Sequence, residues 1–359
     1  MPPVVLVAPA AFKGTLGPRQ VAEALAAGVR RAAPDATVLE CPVADGGNGL
    51  LDVVLPTGAL RERLQVTGPI GESVSAELGW IDGETAIIES ASACGLALVE
   101  PEDRDPMRTT TRGVGELIWT AADRGAKTIV VGLGGTATVD GGAGAARGFG
   151  WTFENAAGES LPDGGGALED LASFGSGWHL NARVVALADV QTPLLGPEGA
   201  APVFGPQKGA RPEEIPRLAA GLTRLAELWA QAGQPELGVL AMGGAAGGLG
   251  AGLAFFAKAE LTGGAEWVLE RAGFDAALAK ADLVITGEGA FDRTSLVGKA
   301  TGEVIRRAQA ARKKIAVVAG HVETMPGVHA VGGDGDGRML DGAALSRMAE
   351  QVAREAMRL

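Results

Sequence analysis

The spacing of apolar positions sorts the chain into elements. Val4 to Ala8 is short, continuous and rich in β-branched residues, which suits a parallel strand buried on both faces. Val21, Ala24, Leu25, Gly28 and Val29 then recur on one helical face, with Pro18 where that helix would begin and Pro34 where it would end. Ala36 to Val43 reads as the next strand and runs into a glycine-rich turn at 44–49. The far end repeats this grammar: Asp282 to Thr286 is an apolar strand, Gly302 to Ala311 a helix, and Ile315 to Ala319 another strand. Leu345, Met348, Ala349, Val352, Ala353 and Ala356 form the face of a last helix, with Asp341 as its candidate N-cap. Both ends therefore read as parts of one parallel, doubly wound sheet.

The middle has a different rhythm. Leu64 to Gly68, Val74 to Ile81 and Thr85 to Glu89 alternate and are separated by short turns, a hairpin-like and mostly antiparallel pattern. Two amphipathic helices follow, one through Val114, Leu117, Ile118, Ala121 and Ala122, the other through Ile215, Leu218, Leu222, Leu225 and Trp229. Strands at Thr128 to Gly132 and Val184 to Leu187 fall between them. The expected organisation is one α/β domain from residues 1–60 and 280–359, with a mixed α/β domain inserted at 61–279.

Composition narrows the function. The chain has 359 residues, 47% of them hydrophobic, enough for two cores. A net charge of −12 disfavours non-specific nucleic-acid binding. Two distant cysteines, Cys41 and Cys94, suggest neither a disulfide framework nor a zinc site, so a reducing, cytoplasmic setting is expected. The N-terminus lacks the marks of a signal peptide, and no run of about 18 apolar residues calls for a membrane span. The 56 glycines are about twice the usual share of roughly 7%, and they cluster beside apolar runs, as tight turns do.

Neither GxxxxGK[ST] nor GxGxxG occurs, which disfavours a P-loop enzyme and a standard dinucleotide fold. Charged residues sit instead in glycine-rich loops after strands. The loop at 132–150 offers Gly134, Gly135, Thr136 and Thr138 as anion donors, with Asp140 as its one carboxylate; a tight turn capped by Asp140 fits equally. Lys13 follows the first strand, where open α/β sheets place ligands. Asp45 can hold Mg²⁺ or a hydroxyl, or close an Asx-turn. Asp189 ends a strand, and Lys208 sits in a rigid turn; a carboxylate with a phosphate-clamping lysine is what phosphoryl transfer needs. Gly247 and Gly248 suit either a nucleotide's approach or close packing. Glu288, Asp292 and Lys299 gather after a strand and suit Mg²⁺ and phosphate. The acidic run at 333–337 lacks calcium-loop spacing and reads as a turn, and His179, His321 and His329 show no metal or triad spacing.

In order, AlaPro…PheLysGly at 8–14, AlaAspGlyGly at 44–47, the threonine run at 109–111, GlyGlyThrAlaThr-x-AspGlyGly at 134–142, VFGPQKGA at 203–210, GAAGGLG at 244–250 and ITGEG…D…GK at 285–299 resemble the bacterial type I glycerate kinase family. The resemblance covers nearly the whole chain. It implies a flavodoxin-like domain built from both chain ends, an inserted domain, and transfer of phosphate from ATP with Mg²⁺ to glycerate, commonly giving 2-phosphoglycerate, here in the cleft between domains. The sequence departs from the pattern at Ala10 and Ala11, where the family has AspSer, and at Asn48, Asp105, Arg112, Thr294 and Ser295.

On this reading Lys13, Lys208 and Lys299 grip phosphates, and Asp189 orients or deprotonates the acceptor. Asp45, Glu288 and Asp292 are the metal-side carboxylates, and Arg104 or Arg112 holds the substrate carboxylate. Glycerate and ATP are the expected partners, with a homodimer as an open possibility. A kinase of another small hydroxy acid and a nucleotide-binding relative without activity are the alternatives.

Overall fold

A computed structural model describes residues 2–12, 15–296, 298–323, 325, 328–332 and 340–358. Lys13 and the acidic run at 333–337 lie outside the described residues. The strands are β1 (Val4–Val7), β2 (Thr37–Glu40), β3 (Arg61–Thr67), β4 (Ser73–Trp80), β5 (Thr85–Glu89), β6 (Thr128–Gly132), β7 (Phe153–Glu154), β8 (Ser173–Phe174), β9 (Arg183–Ala188), β10 (Glu260–Gly263), β11 (Leu283–Phe291), β12 (Lys314–Val322) and β13 (His329–Gly332). They belong to two compact units, Met1–Val54 with Gly263–Leu359, and Leu55–Thr262.

The first unit is built on a five-stranded sheet in the order β13-β12-β11-β1-β2, with the paired strands parallel. Counted within the unit, that is the order 2-1-3-4-5 of flavodoxin-like sheets, whose ligand position is the carboxyl end of the first and third strands. Alternation along each strand feeds two cores. Val5, Val7, Leu283 and Ile285 face the helices Pro18–Ala32 and Gly342–Arg358. Leu6, Ala8 and Val284 face Gly264–Arg271, Phe274–Lys280 and Ala300–Ala310. The helical periodicity is met residue by residue: Val21, Leu25, Val29, Leu345, Ala349 and Val352 are all buried. Pro18 starts its helix, and the Asp341 carboxylate accepts from Ala344 N at 2.7 Å, an N-cap bond. The junction near 280 expected from sequence falls at Thr262/Gly263 instead, because Ala265, Leu269, Phe274 and Leu278 complete the second of these cores.

The second unit carries a six-stranded sheet in the order β10-β9-β6-β5-β4-β3. β3, β4 and β5 are antiparallel neighbours, as alternation and short turns suggest. β5, β6 and β9 are parallel, so their carboxyl ends share one edge of the sheet. Helices Arg112–Asp123 and Ile215–Gln231 contribute Val114, Leu117, Ile118, Leu218, Leu222, Leu225 and Trp229 to one continuous core. Among the described residues no helix is long and apolar enough to cross a membrane.

Candidate active site

In the second unit, the loops leaving β5, β6 and β9 converge. Register pairs Glu89 with Gly132 and Gly132 with Leu187, so Ser90, the 134–138 segment and Asp189 emerge side by side. Asp189 is half-buried there, one residue past the end of β9.

The 134–142 loop is held from beneath. Asp140 is 1% exposed. Its carboxylate accepts from Thr111 N and Thr111 Oγ1, both at 2.8 Å, and from Gly142 N at 3.0 Å and Gly144 N at 3.2 Å. Burial pushes the Asp140 pKa up, and the Thr111, Gly142 and Gly144 bonds pull against that rise. Thr111 Oγ1 in turn accepts from Ala145 N at 2.8 Å, and Thr109 Oγ1 donates to Ala137 O at 2.9 Å. The donors at the start of helix Ala143–Gly148 are thereby taken by the protein's own carboxylate and hydroxyl. Of the two readings open for Asp140, the cap is the one its contacts describe.

Lys208 has the same character. It is 4% exposed, and its Nζ donates to Thr136 Oγ1 at 3.0 Å and Thr138 O at 2.7 Å. Burial brings its pKa down to about 8, with its interactions with Cys94 and Asp140 pulling the other way. Burial pushes the neighbouring Cys94 thiol up. Lys208 therefore pins the underside of the glycine-rich loop, an internal cation where the sequence suggested an exposed clamp.

Gly247 and Gly248 pack on the same loop. A Cβ at Gly247 would stand 1.9 Å from Thr138 O, its φ is +69°, and its carbonyl accepts from Gly141 N at 3.1 Å. Close packing of loop on loop accounts for these two glycines.

The two candidate arginines separate cleanly. Arg112 is committed to a salt-bridge network, with Nη1 at 3.1 Å from Asp163 and Nε at 3.9 Å from Glu116. Arg104 lies against the turn after Lys208, where Gly209 leaves room for the Arg104 carbonyl, and its buried Nε meets no hydrogen-bond partner among the described residues.

In the first unit the cluster forms at the carboxyl ends of β1 and β11. Ala10 N donates to Gly287 O at 2.8 Å, and Thr286 Oγ1 to Ala8 O at 2.7 Å, so the loop after β1 runs beside Glu288. Val43 N reaches Pro9 O at 2.9 Å and brings in the Asp45 turn. Asp45 Oδ1 accepts from Gly47 N at 3.2 Å, an Asx-type turn, and Gly264 is glycine because a Cβ would stand 2.0 Å from Asp45 O. Burial raises the Glu288 pKa; Ser295, Lys299 and Thr301 lower it, and Asp45 adds to the rise. Although those hydroxyls stand beside it, Glu288 Oε1 is buried and makes no hydrogen bond, and neither does Thr301 Oγ1. Asp292 is spent on its own turn, accepting from Thr294 N at 2.7 Å and Thr294 Oγ1 at 2.5 Å. Lys299 Nζ donates to Thr294 Oγ1 at 3.0 Å. Among the described residues no three His, Cys, Asp or Glu side chains gather as a metal cage.

Thr109, Thr111 and Thr301 were not singled out for chemistry from sequence. The threonine run entered only as part of a family pattern, and a lone helix threonine carries no local signal.

The fold and these clusters define a two-unit α/β protein with carboxylates and cations gathered at the carboxyl ends of parallel strands. The glycerate kinase family model matches residues 5–355. Glycerate kinase of Bacillus subtilis (strain 168) is 40% identical over 325 residues, covering 89% of this chain and 85% of that protein. Glycerate 2-kinase of Escherichia coli (strain K12) is 40% identical over 330 residues, covering 90% and 87%. A crystal structure described as glycerate kinase 2 from Salmonella typhimurium LT2 superposes with a TM-score of 0.84 at 40% identity, covering 100% of this chain and 98% of that one. The chain belongs to the glycerate kinase family.

The buried lysine gives a pH prediction. The folded pKa of Lys208, about 8, lies below the ordinary lysine value of 10.5. Between them the unfolded chain keeps a proton that the folded chain has released, so this group's contribution to stability rises with pH across that window. Cys94, pushed up by burial, stays protonated there. Thermal unfolding of wild type and Lys208→Met, compared from pH 7.5 to 10, should show wild type gaining on the variant by on the order of 1–3 kcal/mol. A pH-independent difference would contradict the buried, proton-releasing lysine.

Proposed function

We propose that this protein transfers the γ-phosphoryl group of ATP to the 2-hydroxyl of glycerate. The observation that carries the reading is the family match across residues 5–355. The relative named glycerate 2-kinase supports the position of transfer.

In this reading the second unit holds the acceptor. Asp189, at the end of β9, takes the proton as the hydroxyl oxygen bonds to phosphorus, while the bond from phosphorus to the bridging oxygen of ADP breaks. Arg104, with its unpartnered Nε, pairs with the substrate carboxylate in preference to Arg112, whose guanidinium is already bridged. Lys208 and Asp140 keep the 134–142 loop in shape, with Gly134, Gly135, Thr136 and Thr138 presented on it.

The first unit holds the phosphate and cation side. Lys299, and Lys13 by the resemblance, supply positive charge. The orphaned carboxylate oxygen of Glu288 fits a hard divalent cation, and Asp45 lies close enough to share its field. Mg²⁺ would neutralise phosphate oxygens as charge develops. The cytoplasm is the proposed compartment.

Two measurements test this. Purified protein with ATP, Mg²⁺ and D-glycerate should release ADP only when glycerate is present. Folded protein that binds ATP without glycerate-dependent turnover would contradict the reading and favour a binding relative, with Ala10 and Ala11 as the changed residues to examine. Asp189→Asn should lower kcat by roughly 10²- to 10⁴-fold with a small change in KM; near-normal kcat would remove Asp189 as the base.

A further inference from the structure

Two polar atoms of the first unit stand out because they are buried and answer to nothing. Glu288 Oε1 and Thr301 Oγ1 have no hydrogen-bond partner among the described residues, and the Thr301 hydroxyl stands close enough to the Glu288 carboxyl to lower its pKa. A buried acceptor or donor left unpaired is costly. Two side by side in one place mark a position where something else completes the bonding.

The surroundings say what kind of ligand. Thr301 is 1% exposed and occupies the second position of the Ala300–Ala310 helix, with Lys299 at its N-cap. Glu288 lies near the carboxyl end of β11, on the side of the sheet edge where flavodoxin-like folds place ligands. Asp45 adds a second carboxylate to the field at Glu288. A carboxylate oxygen beside an alcohol oxygen, near a helix N-terminus and a lysine, is a donor set for a hard divalent cation that carries phosphate oxygens with it. Such a cation keeps several waters and needs only one or two protein carboxylates. This agrees with the absence of a cage of three acidic or imidazole ligands among the described residues.

We propose that the Thr301 hydroxyl, with Glu288, binds the divalent cation of the metal–nucleotide substrate, and that the first unit carries this phosphate end. The assignment rests on the kinase reading and adds to it the residue that accompanies Glu288. Thr301 takes the place the sequence suggested for Asp292, whose carboxylate is committed to Thr294.

The test uses the full chain and a readout independent of turnover. Free Mn²⁺ is followed by electron paramagnetic resonance while protein is titrated in the presence of a non-hydrolysable ATP analogue. Thr301→Val, checked for folding by circular dichroism, should weaken Mn²⁺ binding about 10-fold, and Thr301→Ser should keep near-wild-type affinity. Glu288→Gln should weaken it at least as much as Thr301→Val. Wild-type affinity in folded Thr301→Val would overturn the assignment, as would equal weakening by valine and serine, or weakening by Asp292→Asn but not by Thr301→Val. If metal binding behaves as expected while glycerate gives no turnover, the kinase reading fails and the cation site stands.

Discussion

The second unit hangs on one buried carboxylate. Asp140 has four donors from two segments of chain and is almost fully enclosed, so each must be placed for the others to be satisfied. It ties the threonine run at 109–111 to the start of the Ala143–Gly148 helix and fixes the turn through which the glycine-rich loop leaves β6. Lys208 closes the other side of that loop through Thr136 and the Thr138 carbonyl, and the Gly247 loop stacks beneath it. With both charges buried in the same environment, removing one partner would leave the other costly to keep. The arrangement gives a glycine-rich segment, free in principle to take many shapes, a single one.

Topology does the corresponding work in the first unit. Parallel strands in the order 2-1-3-4-5 leave an opening at the carboxyl ends of β1 and β11, and the segments carrying Asp45, Glu288 and Lys299 all return to it. Nothing there resembles the interlocked bonding around Asp140. Asp45 and Asp292 brace their own turns, while Glu288 and Thr301 are left with unanswered atoms. Both units keep buried polar atoms without a partner, among them Arg104 Nε in the second and Glu288 Oε1 and Thr301 Oγ1 in the first.

Much of this was legible in the sequence because it follows from period and position. The faces built on Val21, Leu25 and Val29, on Leu218, Leu222 and Trp229, and on Leu345 to Val352 are buried as their spacing requires. Strand-end placement put Asp189 one residue past β9, whereas Glu288, expected in the loop after a strand ending at Thr286, lies inside β11, which runs on to Phe291 in register with β12. What the sequence could not show is whether a charged group already has a partner inside the protein. Lys208 and Lys299 both follow glycine-rich turns, but one is enclosed by Thr136 and Thr138 while the other is bonded to Thr294 near the surface. Arg104 and Arg112 are equally plausible carboxylate holders until Asp163, 51 residues beyond Arg112, proves to be bridged to it. Such pairings depend on long-range packing, which local pattern does not encode.

Phosphorus-31 NMR of the reaction mixture tests the central claim most directly. With ATP, Mg²⁺ and D-glycerate, the account predicts a new phosphomonoester resonance split into a doublet by the single proton on C2, growing as ADP forms. A triplet would place the phosphate on the other hydroxyl, and orthophosphate alone, or no new ester, would contradict a glycerate 2-kinase.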